Sequence, residues 1–150
     1  MSLPRFLVAT AAADGASIEL EAAEAKHARV RRVRRGEDIV VFDGRGWSAI
    51  AVVETIGARG VTVRIERTLP PRHAESSLDL TLAVALLKSD RFDWIIEKAT
   101  ELGVTRIRPF TSQYSLAKPS SVRRNRWQQI ALSAAKQRGR TAPPAVHAPL

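Results

Sequence analysis

The 150-residue chain contains no cysteine, which removes disulfides, thiolate metal sites and cysteine nucleophiles together. Its three histidines, His27, His73 and His147, lie too far apart for a ligand motif, so no metal site is expected. No apolar run approaches the roughly 18 residues of a membrane-spanning helix. The start "MSLPRFLVATAAADG" is broken by Pro4 and Arg5 and lacks the pattern of a signal peptide. A soluble cytoplasmic protein is the expectation, and missing cysteine is compatible with a reducing compartment. Acids are also missing from one long stretch: none follows Glu101.

What is present is positive charge, +9 in total. Beyond Glu101 it is one-signed. In "KHARVRRVRR", Lys26, Arg29, Arg31, Arg32, Arg34 and Arg35 fall close together. Such a density attracts a phosphate backbone through counterion release, so nucleic acid is the natural partner. A solvated basic face is the plainer alternative. Membrane binding is disfavoured, because neither basic stretch is flanked by the bulky apolar face an interfacial helix needs.

Residues 1–70 read as β-rich, with short alternating or β-branched runs at 5–9, 17–20, 38–43, 46–56 and 60–68. "FDGRGW" supplies a hairpin turn between two of them. Val61, Val63 and Ile65 alternate with Thr62, Arg64 and Glu66, the pattern of a half-buried strand. With "EAAEAKHA" (21–28) as the one helix former, a small antiparallel barrel is predicted. Pro and small polar residues at 71–77 read as a linker. Then the pattern changes. "LDLTLAVALL" (78–87) predicts a strand covered on both faces. A helix follows, capped by Ser89 or Asp90 and ended by Gly103, with Phe92, Ile95, Ile96, Ala99 and Leu102 on its apolar side. "VTRIRPF" predicts a parallel strand stopped by Pro109. A longer helix from about Ser121 to Gly139 carries Trp127, Ile130, Ala131 and Ala134 on one face. The fold class is α+β overall, in two parts at 1–70 and 78–150.

The acids Asp90, Asp93, Glu97 and Glu101 gather on one predicted helix, with Lys98 among them. A solvated face laced with weak ion pairs explains them adequately. Anchoring a neighbouring loop or a dimer partner is the alternative, and no spacing favours catalysis.

Two segments resemble a known family. "LLKSDRFDWIIEKATELGVTRIRPF", followed by "RWQQIALSAAKQRGR" and Pro143 or Pro144, is similar to the bacterial ribosomal RNA small subunit methyltransferase E family. The "PRF" at 4–6, His27 and "GEDIVVFDGRG" resemble that family's PUA-like RNA-binding barrel, while "VRRVRR" departs from it at Arg31. The resemblance implies a PUA-like β-barrel at 1–70 and an α/β SPOUT (trefoil-knot) methyltransferase domain from 78 on. It also implies methylation of N3 of a uridine in 16S rRNA with S-adenosylmethionine, and a homodimer acting on the 30S subunit or its RNA. The family's Gly-Pro-Glu-Gly-Gly loop and later Leu-Arg segment do not occur here. The expectation is therefore the first half of the methyltransferase domain, knot missing, with RNA binding retained and no donor bound. Expected RNA contacts are Arg5, His27, Arg29, Arg31, Arg32, Arg34, Gln137, Arg138 and Arg140. Lys88, Glu97, Lys98 and Glu101 are expected in structural or dimer roles, and no catalytic residue is assigned. A helix-ending cation is the plainer reading of Arg140. For the chain as a whole, the competing readings are a non-catalytic RNA-binding module and a basic protein that assembles with ribosomal proteins.

Overall fold

Alternating apolar and polar residues build the first unit, Met1–Arg72. The computed structural model describes residues 3–58, 60–70, 78–115 and 121–150, without the side chains of 89, 121 and 122. In chain order the elements are β1 (Arg5–Leu7), β2 (Ser17–Glu19), α1 (Ala22–Val30), β3 (Asp38–Phe42), β4 (Ser48–Ile56) and β5 (Val61–Thr68). They form one sheet in the order β1-β3-β4-β5-β2. Val61, Val63 and Ile65 are fully buried beside Phe6, Ile39, Val41, Ala51 and Val53, which form the core of this unit. Asp43 holds the β3–β4 turn: its Oδ1 accepts the N–H groups of Arg45 (2.8 Å) and Trp47 (3.0 Å), while Gly44 and Gly46 take positive φ.

The expected antiparallel barrel needs two corrections. β1 pairs parallel with β3, because β2 and α1 intervene and bring the chain back in the same direction. β1 and β2 stand at opposite edges and are not paired with each other. Irregularities in the β4–β5 register at Ile50/Ala51 and Val53/Thr55 bend these strands, as bulges do. The sheet is curled rather than closed.

The second unit is His73–Leu150. Its elements are β6 (Thr81–Ala85), α2 (Ser89–Glu101), β7 (Arg106–Phe110), α3 (Ser121–Arg138) and β8 (Ala145–Val146). The strands lie in the order β6-β7-β8, all parallel. Leu86, Phe92, Ile96, Ala99, Ile107, Trp127, Ala131 and Val146 make its core, with the Phe92 and Trp127 rings 4.6 Å apart. The predicted linker, 71–77, lies outside the described residues.

Three details differ from expectation. Thr81, Ala83, Arg106, Arg108 and Phe110 are exposed on the sheet face opposite this core, so β6 is not covered on both faces by the described residues. Pro109 lies inside β7 instead of stopping it. The carbonyls of Ile107 and Pro109 both face the β8 side, accepting from His147 and Leu150. The missing proline N–H therefore points just past the two residues of β8, where no ladder bond is lost. Finally, α2 begins one residue early, with Lys88 at its N-cap and no side-chain cap.

All three helices end alike. The N–H two residues past the cap reaches back five residues: Val33 to Ala28 (3.1 Å), Val104 to Ala99 (3.0 Å) and Arg140 to Ala135 (2.9 Å). The preceding N–H makes the inner bond: Arg32 to Arg29, Gly103 to Thr100 and Gly139 to Lys136. This is the Schellman arrangement, which satisfies carbonyls the helix leaves orphaned. It requires positive φ at the turning residue, here Gly103 (96°), Gly139 (81°) and Arg32 (57°). A side chain there meets the following carbonyl, at a cost of about 1–2 kcal/mol.

A Cβ added at Gly103 would meet nothing within 4 Å, so Gly103→Ala isolates the backbone term. The variant is expected to lose about 1–2 kcal/mol of stability, read as a lower urea midpoint with unchanged slope. An unchanged midpoint would mean the left-handed turn is not needed there.

Candidate nucleic-acid interface

The turn after α1 gathers the exposed charge of the first unit. Arg31, Arg32, Arg34 and Arg35 are all exposed. Among the described residues, none of their guanidinium groups makes a hydrogen bond or ion pair; the nearby Glu37 carboxylate accepts only the backbone N–H of Arg34 (2.9 Å). Val33, between them, is buried. The chain alternates outward, inward, outward, which sets Arg32 and Arg34 on the same side as solvent.

The other expected contacts of this unit are placed differently. Arg29 is exposed, but its Nη2 donates to the carbonyls of Gly57 (2.6 Å) and Ala58 (3.5 Å), tying α1 to the β4–β5 turn. His27 is half-buried; its ring lies 5.3 Å from that of Phe6, and its Nδ1 is 3.7 Å from Glu24. Glu24 also accepts the Leu7 N–H at 3.3 Å. Arg5 is buried, with its guanidinium 5.2 Å from the centre of the Phe42 ring, a cation–π geometry. This is a packing role, away from solvent.

In the second unit, Gln137 and Arg138 are exposed at the end of α3. Arg140 is buried, and its Nη1 donates to the carbonyls of Thr100 (2.8 Å) and Val104 (3.0 Å). The sequence offered two readings of Arg140, an RNA contact and, more plainly, a cation serving the end of its own helix. Instead Arg140 serves the end of α2, because the turn at Gly139 carries the chain back toward it. That long-range partner had no signal in the sequence.

The acids of α2 divide into two sets. Lys98 Nζ bonds Glu97 (2.9 Å) and Glu101 (3.0 Å) on its own helix. Asp93 instead accepts from Arg126 of α3, at 2.6 and 3.0 Å, and so joins the two helices. Lys88, at the N-cap, is exposed. Asp79 pairs with Arg106 (2.7 Å) and accepts from Thr105 (2.7 Å). The bond from Thr105, then that from Arg106, holds the Asp79 carboxyl below its ordinary value. The bond from Lys98 does the same for Glu97. Sequence reasoning also missed Arg124 and Gln128, which reach the last strand: Arg124 Nε donates to the Val146 carbonyl (3.3 Å). Gln128 accepts the Val146 N–H (3.1 Å) and donates to the Pro144 carbonyl (3.3 Å).

These placements give two expectations. Arg140→Ala leaves buried carbonyls without a charged donor, so it should destabilise the second unit by about 2–3 kcal/mol in a denaturant titration. For the acids, depressed folded values mean that the stability they add is complete above the ordinary carboxylate values, 3.8 for Asp79 and 4.5 for Glu97. It fades as pH falls through the lower native values. Lys98→Met should remove the Glu97 share of that acid loss, seen as a flatter stability profile below about pH 5. An unaltered profile would show that the Lys98 bond does not set it.

Comparison with known proteins places both halves. A family model described as an RNA methyltransferase domain matches residues 74–150, and one described as an RNA methyltransferase PUA domain matches residues 20–66. The ribosomal RNA small subunit methyltransferase E of Synechocystis is 38% identical over 122 residues, covering 81% of this chain and 39% of that protein. Its counterpart in Mycobacterium bovis is 34% identical over 148 residues, covering 94% and 55%. The crystal structure of that enzyme from Neisseria gonorrhoeae, bound to S-adenosyl methionine, superposes with a TM-score of 0.91 at 31% identity. It covers 98% of this chain and 62% of that one. The chain thus spans about half the length of the curated relatives it matches. With both domain models matched in order along one polypeptide, it belongs to the RNA methyltransferase family of ribosomal RNA small subunit methyltransferase E.

Proposed function

We propose that this chain is the RNA-gripping part of an enzyme that methylates N3 of a uridine in 16S rRNA, with S-adenosylmethionine as donor. The observation that carries this reading is the succession of the two matched domains along the chain. The exposed guanidinium groups of Arg31, Arg32 and Arg34 add to it, being available for phosphate. Gln137 and Arg138 are the contacts proposed from the second unit. Arg29 and His27 flank the basic turn and support it. Arg5 and Arg140 are buried and act through packing.

The donor is a separate matter. Against α2 lies a cavity of about 310 Å³ lined by Leu87, Asp90, Arg91, Trp94 and Ile95. Its walls come from one helix and the residue segment before it. Small-molecule sites bury about 70–90% of their ligand, and a wall from one side can cover only one face of an adenosyl group. These residues do not fit S-adenosylmethionine, so no transfer step is derived from them. We place donor binding outside these 150 residues and expect the chain alone to be inactive.

Two further parts of the proposal concern assembly and location. Trp94 is 61% exposed and Leu102 83% exposed on α2. Such apolar area on a helix suits a second copy of the chain, and Glu97, Lys98 and Glu101 lie among these residues. No helix of the described residues is long and apolar enough to cross a membrane, and the cytoplasm, where the 30S subunit is assembled, is the proposed location.

Filter binding to in vitro transcribed 16S rRNA tests the RNA reading. The expected plot of log affinity against log salt has a slope of about −3 or steeper, since each phosphate contact contributes about −0.7 to −0.9. Salt-independent binding would overturn it. Calorimetric titration with S-adenosylmethionine is expected to give no binding heat for this chain, and saturable heat would relocate the donor site into it.

A further inference from the structure

Arg32 breaks a rule that the rest of the molecule keeps. Among the described non-glycine residues it is the one with positive φ. The helices supply an internal comparison, because the same pair of turn hydrogen bonds closes α1, α2 and α3. At α2 and α3 the turning residue is glycine, and at α1 it is arginine. Nothing in the turn's hydrogen bonding calls for a side chain, so glycine would serve as well there. Nor does a hydrogen bond or ion pair of its side chain within the described residues offset the strain. The Arg32 guanidinium has no hydrogen-bond or ion-pair partner among the described residues, and the neighbouring acids are engaged elsewhere: Glu24 with Leu7 and His27, Glu37 with the backbone of Arg34.

We propose that Arg32 is a phosphate anchor, where this chain gives up fold stability for grip on RNA. The inference rests on the ribosomal RNA reading above and assigns one strained residue to it. The left-handed turn is what makes the position useful. It takes the chain off the helix axis at Arg32 and sends Val33 into the core, so that Arg32 and Arg34 stand on either side of a fixed pivot. A glycine would keep that geometry and lose the charge. Strained backbone of this kind persists where the surrounding structure holds it, and it clusters at functional sites. RNA phosphate is the partner favoured, because four exposed guanidinium groups fall within five residues, Arg31 to Arg35, a spacing suited to successive backbone charges.

Three variants of the 150-residue chain separate strain from charge. Arg32→Gly removes both, Arg32→Gln removes only the charge, and Arg32→Lys keeps both. Thermal unfolding should show a raised midpoint for Arg32→Gly and none for the other two. Filter binding to 16S rRNA should show about threefold or greater weakening for Arg32→Gly and Arg32→Gln, with the salt slope shallower by about 0.7–0.9. Arg32→Lys should bind as the parent does. Parental affinity and slope in Arg32→Gly and Arg32→Gln, with the parent still binding in a salt-dependent way, would overturn this inference and leave the RNA reading standing. An Arg32→Gly midpoint no higher than the parent's would overturn it as well. A parent that binds without salt dependence removes both.

Discussion

The end of a helix leaves carbonyl oxygens that must find donors before the chain can go elsewhere. In this protein the solution to that constraint determines what each helix is followed by. At α1 it turns Val33 into the first core and presents arginines to solvent. At α2 it turns Val104 inward, so that β7 can start beside β6. At α3 it delivers Arg140 to the same place, where its guanidinium takes the Thr100 and Val104 carbonyls. One helix end is thus completed by the residue that follows another. The α2 terminus, the start of β7 and the end of α3 are held by one buried cation.

The same pairing logic sorts the charges. A basic chain keeps few acids, and in the second unit they are spent close to where structure needs them: Asp93 on Arg126 and Asp79 on Arg106, with Lys98 shared between Glu97 and Glu101. These pairs are exposed on at least one side, where ion pairs contribute little to stability. Their stronger effect is on location. An arginine held by an acid is less free to take a phosphate, so the pattern of pairing marks which guanidinium groups remain open. Those of the turn after α1 remain. In α3, Arg124 and Arg126 have structural partners, while Arg138 stays exposed.

Local periodicity was legible in the sequence, and tertiary choices were not. Val61, Val63 and Ile65 alternate and are buried, and Phe92, Ile96 and Ala99 of α2 and Trp127 and Ala131 of α3 face the core as their spacing requires, while Ile95 is half-buried against the cavity beside α2. Leu102 fits the same helical spacing and is exposed, because it sits at the cap where the helix phase ends. The parallel pairing of β1 with β3 depends on how far the chain travels between them, which alternation does not encode. The burial of Arg5 and Arg140 had no local signal either. An arginine's five donors are satisfied equally by phosphate or by carbonyl oxygens, and only the fold decides which comes within reach. By contrast the Gly103 and Gly139 turns could be read directly, since little except glycine adopts that conformation without strain.

The last strand shows how much of a basic helix can be structural. β8 has two residues, and its inner side is satisfied by β7 through Ala145 and His147. Its outer side would leave a donor at Val146 and acceptors at Pro144 and Val146 open, which is the liability of any edge strand. Gln128 answers with an amide that matches a peptide group, accepting from Val146 and donating to Pro144, and Arg124 takes the remaining carbonyl. The side chains of a helix thus stand in for the next strand on that edge. Arg124, one of the cations of the acid-free stretch after Glu101, thus serves a two-residue strand. On the proposed function, what α3 offers to RNA is its exposed C-terminal end, Gln137 and Arg138.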